Sequence, residues 1–284
     1  MLNETWLSKA ISDREVIEDN SYTVFRNDRS QVSHPADPNN PKKIRKSGGG
    51  VLIAIRSDIE ANIKRLSVRK GAEIVATKLI IDGKMFVFCT IYRVGTLGIP
   101  NHTSIINSIK TFYKVRNPRK IFIVGDLNLS NVQWPMTDDS STSDSTEILF
   151  IESFDELGLS QFISEPTHIK GRTLDLILTN SKTLISNINV TSDEMLCKSD
   201  HYCITFEVKT NVKYKTAPKR KILNFKKANW DALNHDLRKI RWNAILDCTE
   251  PELAWLDFKK ALFIHIKKHI PIISVKSNSF MTVV

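Results

Sequence analysis

The sequence predicts a mixed α/β or α+β sandwich, and three observations carry that prediction. Residues 121–124 (Ile-Phe-Ile-Val) form a short, continuous, β-branched apolar run, the pattern of a strand buried on both faces. Strand-like and helix-like stretches alternate along the chain, with several strand-loop-strand passages between them, as mixed layered folds require. The chain has 284 residues, enough for one large domain with a substantial core plus an appendage.

Taken in order, residues 1–7 read as a strand end and loop carrying Glu4, residues 12–19 as an acidic helix and residues 22–26 as a strand. Residues 30–50 are a loop with prolines, a Lys42–Lys46 basic run and Gly48-Gly49-Gly50. The expectation is a solvated insertion, with a basic loop resting on a phosphate backbone as the functional alternative. Val51–Arg56, Glu73–Ile81 and Lys84–Tyr92 are strands, the last two joined by an Asp82-Gly83 hairpin signal. Residues 101–115 place Ile105, Ile106, Ile109 and Phe112 on one helical face. After the central strand, Trp134-Pro135 and a Ser/Asp/Thr run form a polar loop. Residues 147–157 are an amphipathic helix ended by Gly158. Residues 161–164, a loop holding His168, Lys170 and Arg172, and an apolar run over residues 173–180 follow. His168 reads as a loop residue rather than a catalyst. Residues 202–208 alternate as a strand, with Tyr202, Ile204, Phe206 and Val208 on one face.

Charge is unevenly placed. Residues 1–209 carry 26 Lys+Arg against 25 Asp+Glu, whereas residues 210–284 carry 15 against 6, nearly the whole of the net +10. A basic tail of this kind meets nucleic acid, a membrane surface or an acidic partner. Within it, residues 227–240 and 250–270 read as helices, and Trp230, Trp242 and Trp255 as packing anchors. His265 and His269 stand four apart, a spacing that permits a metal, but the sequence shows no further ligand near them. Cys89, Cys197, Cys203 and Cys248 form no CxxC pair and read as reduced thiols. No run approaches the ~18 apolar residues of a membrane span, and the first residues lack the order of a signal peptide. An intracellular protein is expected.

Chemistry concentrates at strand ends. The apolar run 121–124 stops at Gly125 and delivers Asp126 and Asn128, which at strand spacing share one face. Glu4 lies in Glu-Thr-Trp-Leu, Asp175 inside the apolar run 173–180, and Asp200-His201 just before the 202–208 strand. One acid beside a hydrophobic strand is usually a cap or an ion pair. Four acids and a histidine, each where an unpaired charge is costly, suggest a divalent-metal phosphodiesterase site.

ETWL, Tyr92 in TIYRVG, GDLN, TLDLILTN and SDH, in this order and spacing, resemble the endonuclease/exonuclease/phosphatase superfamily. More narrowly, together with GLSQFISEPTHIKGR and NFKKANWDAL, they resemble the apurinic/apyrimidinic-type endonuclease domain of non-LTR retrotransposon polyproteins, over about residues 1–270. The resemblance implies a four-layer sandwich of two packed mixed β-sheets flanked by helices, with the site at one end and a basic helical C-terminal tail. It implies Mg²⁺ or Mn²⁺ held by Glu4 and Asp200, and His201 oriented by Asp175 as phosphate ligand or base. Asp126 would activate water or protonate the leaving group, Asn128 and Tyr92 would position the phosphate, and Arg172, Thr173 and Ser199 would bind substrate. Whether His201 or Asp126 is the base stays open. DNA is the implied partner, with RNA possible through the tail, no membrane, and a nuclear location.

The resemblance also divides the chain into an endonuclease-like domain, 1–209, and a basic helical linker, 210–284, that in relatives leads to a reverse transcriptase. In the family a strand bearing an asparagine precedes ETWL. Here Met1 stands three residues before Glu4, so that strand is expected to be missing, Asn3 to point away from Glu4, and nuclease activity to be impaired by truncation. Three other readings remain: a non-catalytic nucleic-acid-binding remnant, a lipid or inositol phosphate phosphodiesterase of the same superfamily, and a structural remnant with neither activity.

Overall fold

The computed structural model describes residues 1–17, 21–30, 48–94, 99–113, 120–136, 142–192, 199–215 and 220–275. They form two compact units, one of the described residues within 1–8 and 23–213, the other of those within 9–22 and 214–275.

The larger unit is built on a six-stranded mixed sheet. Its strands are β4 (Asn62–Arg65), β5 (Glu73–Ile81), β6 (Lys84–Tyr92), β7 (Lys120–Asp126), β8 (Ser160–Gln161) and β9 (Asp175–Thr179), in the order β4-β5-β6-β7-β9-β8. Only the β6–β7 pair is parallel; α2 (Ile99–Tyr113) lies on the crossover between them. β5 and β6 turn at Asp82-Gly83, both with positive φ, as a tight two-residue hairpin demands.

Side chains of the central strands alternate between two cores. Ile121 and Ile123 of β7, with Val87, Cys89 and Ile91 of β6 and Leu176 and Leu178 of β9, pack with Ile105, Ile109 and Phe112 of α2 and Phe150 and Phe154 of α3 (Ser145–Glu156). Phe122 of β7, with Val75, Phe86 and Ile177, faces the opposite way. There it meets Val51, Ile53 and Ile55 of β3 (Val51–Arg56) and the apolar residues of β10 (Ile185–Thr191) and β11 (Cys203–Val208). That second sheet layer comes in two pieces: β1 (Leu2–Asn3), β3 and β2 (Tyr22–Asn27) in one, β10 and β11 in the other. Asp144 caps α3 by accepting from the Thr146 and Glu147 N–H groups, and Gly158, with φ 60°, follows its C-terminus.

The smaller unit holds α1 (Asp13–Val16), β12 (Arg220–Leu223), α4 (Trp230–Arg238), α5 (Trp242–Leu246), α6 (Pro251–His269) and β13 (Ile272–Val275), with β12 and β13 paired antiparallel. Lys259 of α6, almost fully buried, donates to Glu15 at 2.7 Å and to the Ala10 carbonyl. Trp242 and Trp255 pack on Phe258 with ring centroids 5.5 and 5.6 Å apart, and Phe225 stacks on Trp230. Cys89 is buried, and Cys203 and Cys248 are half-buried free thiols; Cys197 lies outside the described residues.

Leu2 and Asn3 form the strand end expected before the Glu4 loop, pairing with Leu52 and Val51. Two sequence expectations change. Gly48–Gly50 are buried rather than solvated, because Thr5 and Trp6 donate to the Gly50 and Gly49 carbonyls at 3.3 and 2.8 Å; residues 31–47 of the expected loop lie outside the described residues. In addition, β7 ends at Asp126, so Asn128 reaches its neighbour through a turn, not at strand spacing.

Candidate active site

Register alone brings three of the expected residues side by side. Tyr92 pairs with Asp126 across β6–β7, and Asp126 with Asp175 across β7–β9, so the three occupy adjacent positions at one end of the sheet. Close packing of the backbone there depends on Gly125: a Cβ at this position would stand 2.0 Å from the Ile91 carbonyl oxygen and 3.0 Å from the Asn3 Nδ2.

Asn128 sits in the left-handed region, φ 51°, which asparagine tolerates better than most residues. The turn folds it back onto Asp126. Its N–H donates to Oδ1 at 3.0 Å and its Nδ2 to Oδ2 at 3.1 Å, and Nδ2 also donates to the Arg93 carbonyl. Arg93 fixes this turn from beneath. Its buried guanidinium donates to the Leu127 and Asn128 carbonyls at 3.0 and 2.8 Å and lies over the Phe150 ring.

Glu4 also has positive φ, 50°, a strained setting for a glutamate. Its carboxylate accepts from the Tyr92 hydroxyl, while Asn3 donates from Nδ2 to the Ile91 carbonyl at 3.1 Å and accepts from Thr90 at 2.7 Å. Asn3 and Glu4 therefore both meet β6, correcting the expectation that simple alternation would send Asn3 elsewhere. Burial first, then Glu4, pushes the Tyr92 phenol well above its ordinary value. Arg29 stacks over the Tyr92 ring, held by the buried Glu73 at 2.7 Å.

On the far side, Asp175 Oδ2 and His201 Nδ1 are 2.7 Å apart. Thr167 fixes Asp175: its hydroxyl accepts from the Leu174 and Asp175 N–H groups, both at 3.0 Å. The hydrogen bond to Asp175 raises His201 to about 9 against the opposing effect of burial, and the charges of Asp175, Asp126 and Asp200 act in the same direction. His201 is thus an imidazolium at neutral pH. Asp126 is raised as well: burial first, then the Asp175 charge, pushes its pKa up, opposed by His201 and the Asn128 N–H.

His168, expected to be a bystander, is buried and forms a β-bridge with His201, their rings 4.8 Å apart. Its Nδ1 accepts from the Lys170 N–H at 3.0 Å, which leaves the proton on Nε2 to donate to Asp200 Oδ2 at 3.2 Å. Against burial, which acts to raise it, a backbone hydrogen bond, His201 and His168 hold Asp200 below the ordinary carboxylate range. Ser199 accepts from the His201 N–H at 3.1 Å. Thr173 donates its hydroxyl to the Glu165 carbonyl at 3.0 Å, and Arg172 contributes its carbonyl to the loop while its side chain is exposed.

Two linked groups result: Glu4–Tyr92 beside Asp126–Asn128, and Asp175–His201 beside Asp200–His168. The donor set suits a hard cation, because Asp126, crowded by Asp175 and Glu4 in a buried place, lacks a compensating charge of the size a divalent ion carries. Glu4 and Asp200, the two expected ligands, bond to different partners, Tyr92 and His168. A cluster with ligand atoms within 4.8 Å of one another is instead made by His168, Asp200 and His201. Asn3, Arg93, Thr167 and His168 escaped sequence reading because each acts through backbone geometry that only the fold supplies.

Residues 86–205 match the family model described as endonuclease-reverse transcriptase. No curated protein matches the chain. Among solved structures, similar folds include the endonuclease domain of TRAS1, a telomere-specific non-LTR retrotransposon, at 17% identity and TM-score 0.48, covering 66% of this chain and 79% of that one. A 3′-5′ exonuclease (NExo) from Neisseria meningitidis shows 14% identity and TM-score 0.49, with 73% and 88% covered. The human Nocturnin catalytic domain shows 14% identity and TM-score 0.42, with 69% and 76% covered. The matched residues are those that supply β6, β7 and β9 with the polar ends just described, so over residues 86–205 the chain is similar to that endonuclease-reverse transcriptase family.

Proposed function

We propose that the larger unit nicks DNA by hydrolysing a phosphodiester, as an endonuclease of the non-LTR retrotransposon type. The observation that carries this reading is the row Tyr92–Asp126–Asp175 closed by a charged His201. An imidazolium held by a carboxylate, beside a carboxyl whose proton affinity is raised, separates two jobs that phosphodiester hydrolysis needs.

His201 keeps Nδ1 on Asp175 and bonds through Nε2 to none of the described residues, so Nε2–H is free to donate to a phosphate oxygen. Charged at neutral pH, it is the phosphate ligand rather than the base. Asp126 acts as base in its ionised form, which the His201 charge favours and a bound divalent ion would favour further; it takes the proton of the attacking water, the water oxygen bonds to phosphorus, the phosphorus–oxygen bond to the leaving sugar breaks, and the leaving oxygen takes a proton from solvent. Asn128 orients the Asp126 carboxylate for that transfer, and the Tyr92 hydroxyl lies at the same sheet end beside Glu4. Glu4 and Asp200 would hold Mg²⁺ or Mn²⁺, which when bound would neutralise charge developing on the phosphate. Arg172, exposed on the 167–173 loop, and Ser199 flank the site and contact the backbone of the substrate. The basic segment 210–284 adds affinity for DNA, or for RNA, and a DNA substrate implies nuclear work.

The test is incubation of supercoiled plasmid with the full chain. Nicking that requires Mg²⁺ or Mn²⁺, is abolished by chelator and is lost in Asp126→Asn supports the reading. Metal-independent nicking, or full activity in Asp126→Asn, overturns it.

A further inference from the structure

We propose a second metal site, remote in sequence from the nuclease motifs, in which Asp236 of α4 and His265 and His269 of α6 bind one zinc ion and pin the C-terminal turns of those two helices together. The three residues converge through the fold of the smaller unit. His269 Nε2 lies 2.7 Å from Asp236 Oδ2 and His265 Nδ1 lies 3.5 Å from the same oxygen. All three ligand atoms fall within 4.8 Å of one another, and all three side chains are half-buried. The sequence offers only the i, i+4 histidine pair; the third ligand arrives from 29 and 33 positions earlier, when Asn229 at the head of α4 donates to the His269 carbonyl at 3.0 Å.

Three observations favour an ion over a plain salt bridge. First, His265 Nδ1 is shielded from solvent yet makes no hydrogen bond, an unsatisfied polar atom that a metal would satisfy. Second, Asp236 stands in the last turn of α4, where the helix dipole disfavours an anion, so the position calls for positive charge. Third, the spacing is close to what a metal needs. Ligands at about 2.1 Å from a tetrahedral zinc lie about 3.4 Å apart. The His265–Asp236 separation is already there, and the His269–Asp236 pair needs to open by about 0.7 Å. Lys268 Nζ also lies 2.7 Å from Asp236 Oδ2, but its side chain is exposed on a flexible stem and can leave without burying a charge. Two imidazoles with one carboxylate favour zinc over Mg²⁺, which prefers an all-oxygen shell, and a solvent water completes the tetrahedron.

Zinc titration of the metal-free full chain tests this, read by calorimetry and by melting temperature. The His168, Asp200, His201 cluster is a competing zinc ligand, so the Asp200→Asn/His201→Asn chain is titrated in parallel. The expected result is that this chain still binds one zinc and melts at a higher temperature with it, whereas His265→Asn/His269→Asn loses that equivalent or binds it about a hundredfold more weakly. If His265→Asn/His269→Asn keeps the wild-type stoichiometry and affinity, the site does not exist. Should that variant fail to fold, zinc-edge X-ray absorption of the loaded Asp200→Asn/His201→Asn chain decides: two imidazole ligands sustain the proposal, and none overturns it.

Discussion

Asp126 and His201 are both shifted toward their protonated forms, for opposite reasons: one is a crowded, buried acid and the other a base with an acid partner. For both, the folded pKa lies above the ordinary value, so each contributes stability that is complete below that value and is lost as pH rises through the folded one. For Asp126 the loss runs from the carboxylate range toward neutrality. Replacing it with Asn removes that penalty, so the melting temperature of Asp126→Asn should gain on wild type as pH rises, while nicking falls by about 10²–10⁴-fold; a variant that loses ground with pH contradicts the assignment. For His201 the window lies between about 6.5 and about 9. Measured in chelator and in the Asp126→Asn background, where the Asp175 pairing remains but the Asp126 charge no longer adds to the shift, melting temperature should still fall as pH rises above about 6.5, over a narrower window. Adding His201→Asn should flatten the curve, and an unchanged slope would show that the Asp175 pairing carries no linkage. At this scale the sequence was informative about identity and silent about partners. Glu4, Asp126 and Asp175 stand out as acids beside apolar runs, but nothing in PTHIKGR shows that His168 turns onto Asp200. A lone histidine in a polar loop has no periodicity to betray it.

The elements that carry the site are those with strong, continuous patterns. β3, β5 and β6 were legible to the residue because each is a long apolar run bounded by a turn signal. β4 (Asn-Ile-Lys-Arg), β12 and β13 were not, since four-residue strands with one polar face give too few repeats of a two-residue period. β10, with its ISNINVT, alternates but is more polar than apolar, and it folds as a strand because β11 offers it a ladder. Gly125 shows what a single position in such an element can decide. Gly125→Ala would drive a methyl group into the Ile91 backbone, 2.0 Å from its oxygen and 2.8 Å from its nitrogen, so β6 and β7 must part. A loss of about 3 kcal/mol or more is expected. Gly158→Ala, with φ 60° but nothing within 4 Å, is the control and should cost only about 1–2 kcal/mol. Chemical denaturation of the two variants measures the difference; equal losses would mean that backbone conformation, not close approach, is what Gly125 supplies.

Over the whole molecule, charge and catalysis are assigned to different stretches of sequence. Residues 1–209 are nearly neutral and contain the row of polar residues at the sheet end, while residues 210–284 hold 15 Lys+Arg against 6 Asp+Glu. Among the described residues no helix is long and apolar enough to cross a membrane. Several of the cations are exposed, among them Lys226, Lys227, Lys239 and Arg241. A cation that contacts phosphate releases condensed counterions, so each such contact adds up to about 0.9 to the slope of log affinity against log salt on duplex DNA. Changing these four to Gln should therefore weaken DNA binding similarly for every sequence tested and lower the salt slope by as much as about 3–4. The nicking rate at saturating DNA should stay within about twofold, because none of the four belongs to the row at the sheet end. Binding isotherms at several salt concentrations, with an unrelated duplex as comparison, measure both quantities. If affinity and slope are unchanged, the basic segment does not touch the duplex, and the grip on DNA belongs to the 167–173 loop and its neighbours around the nuclease site.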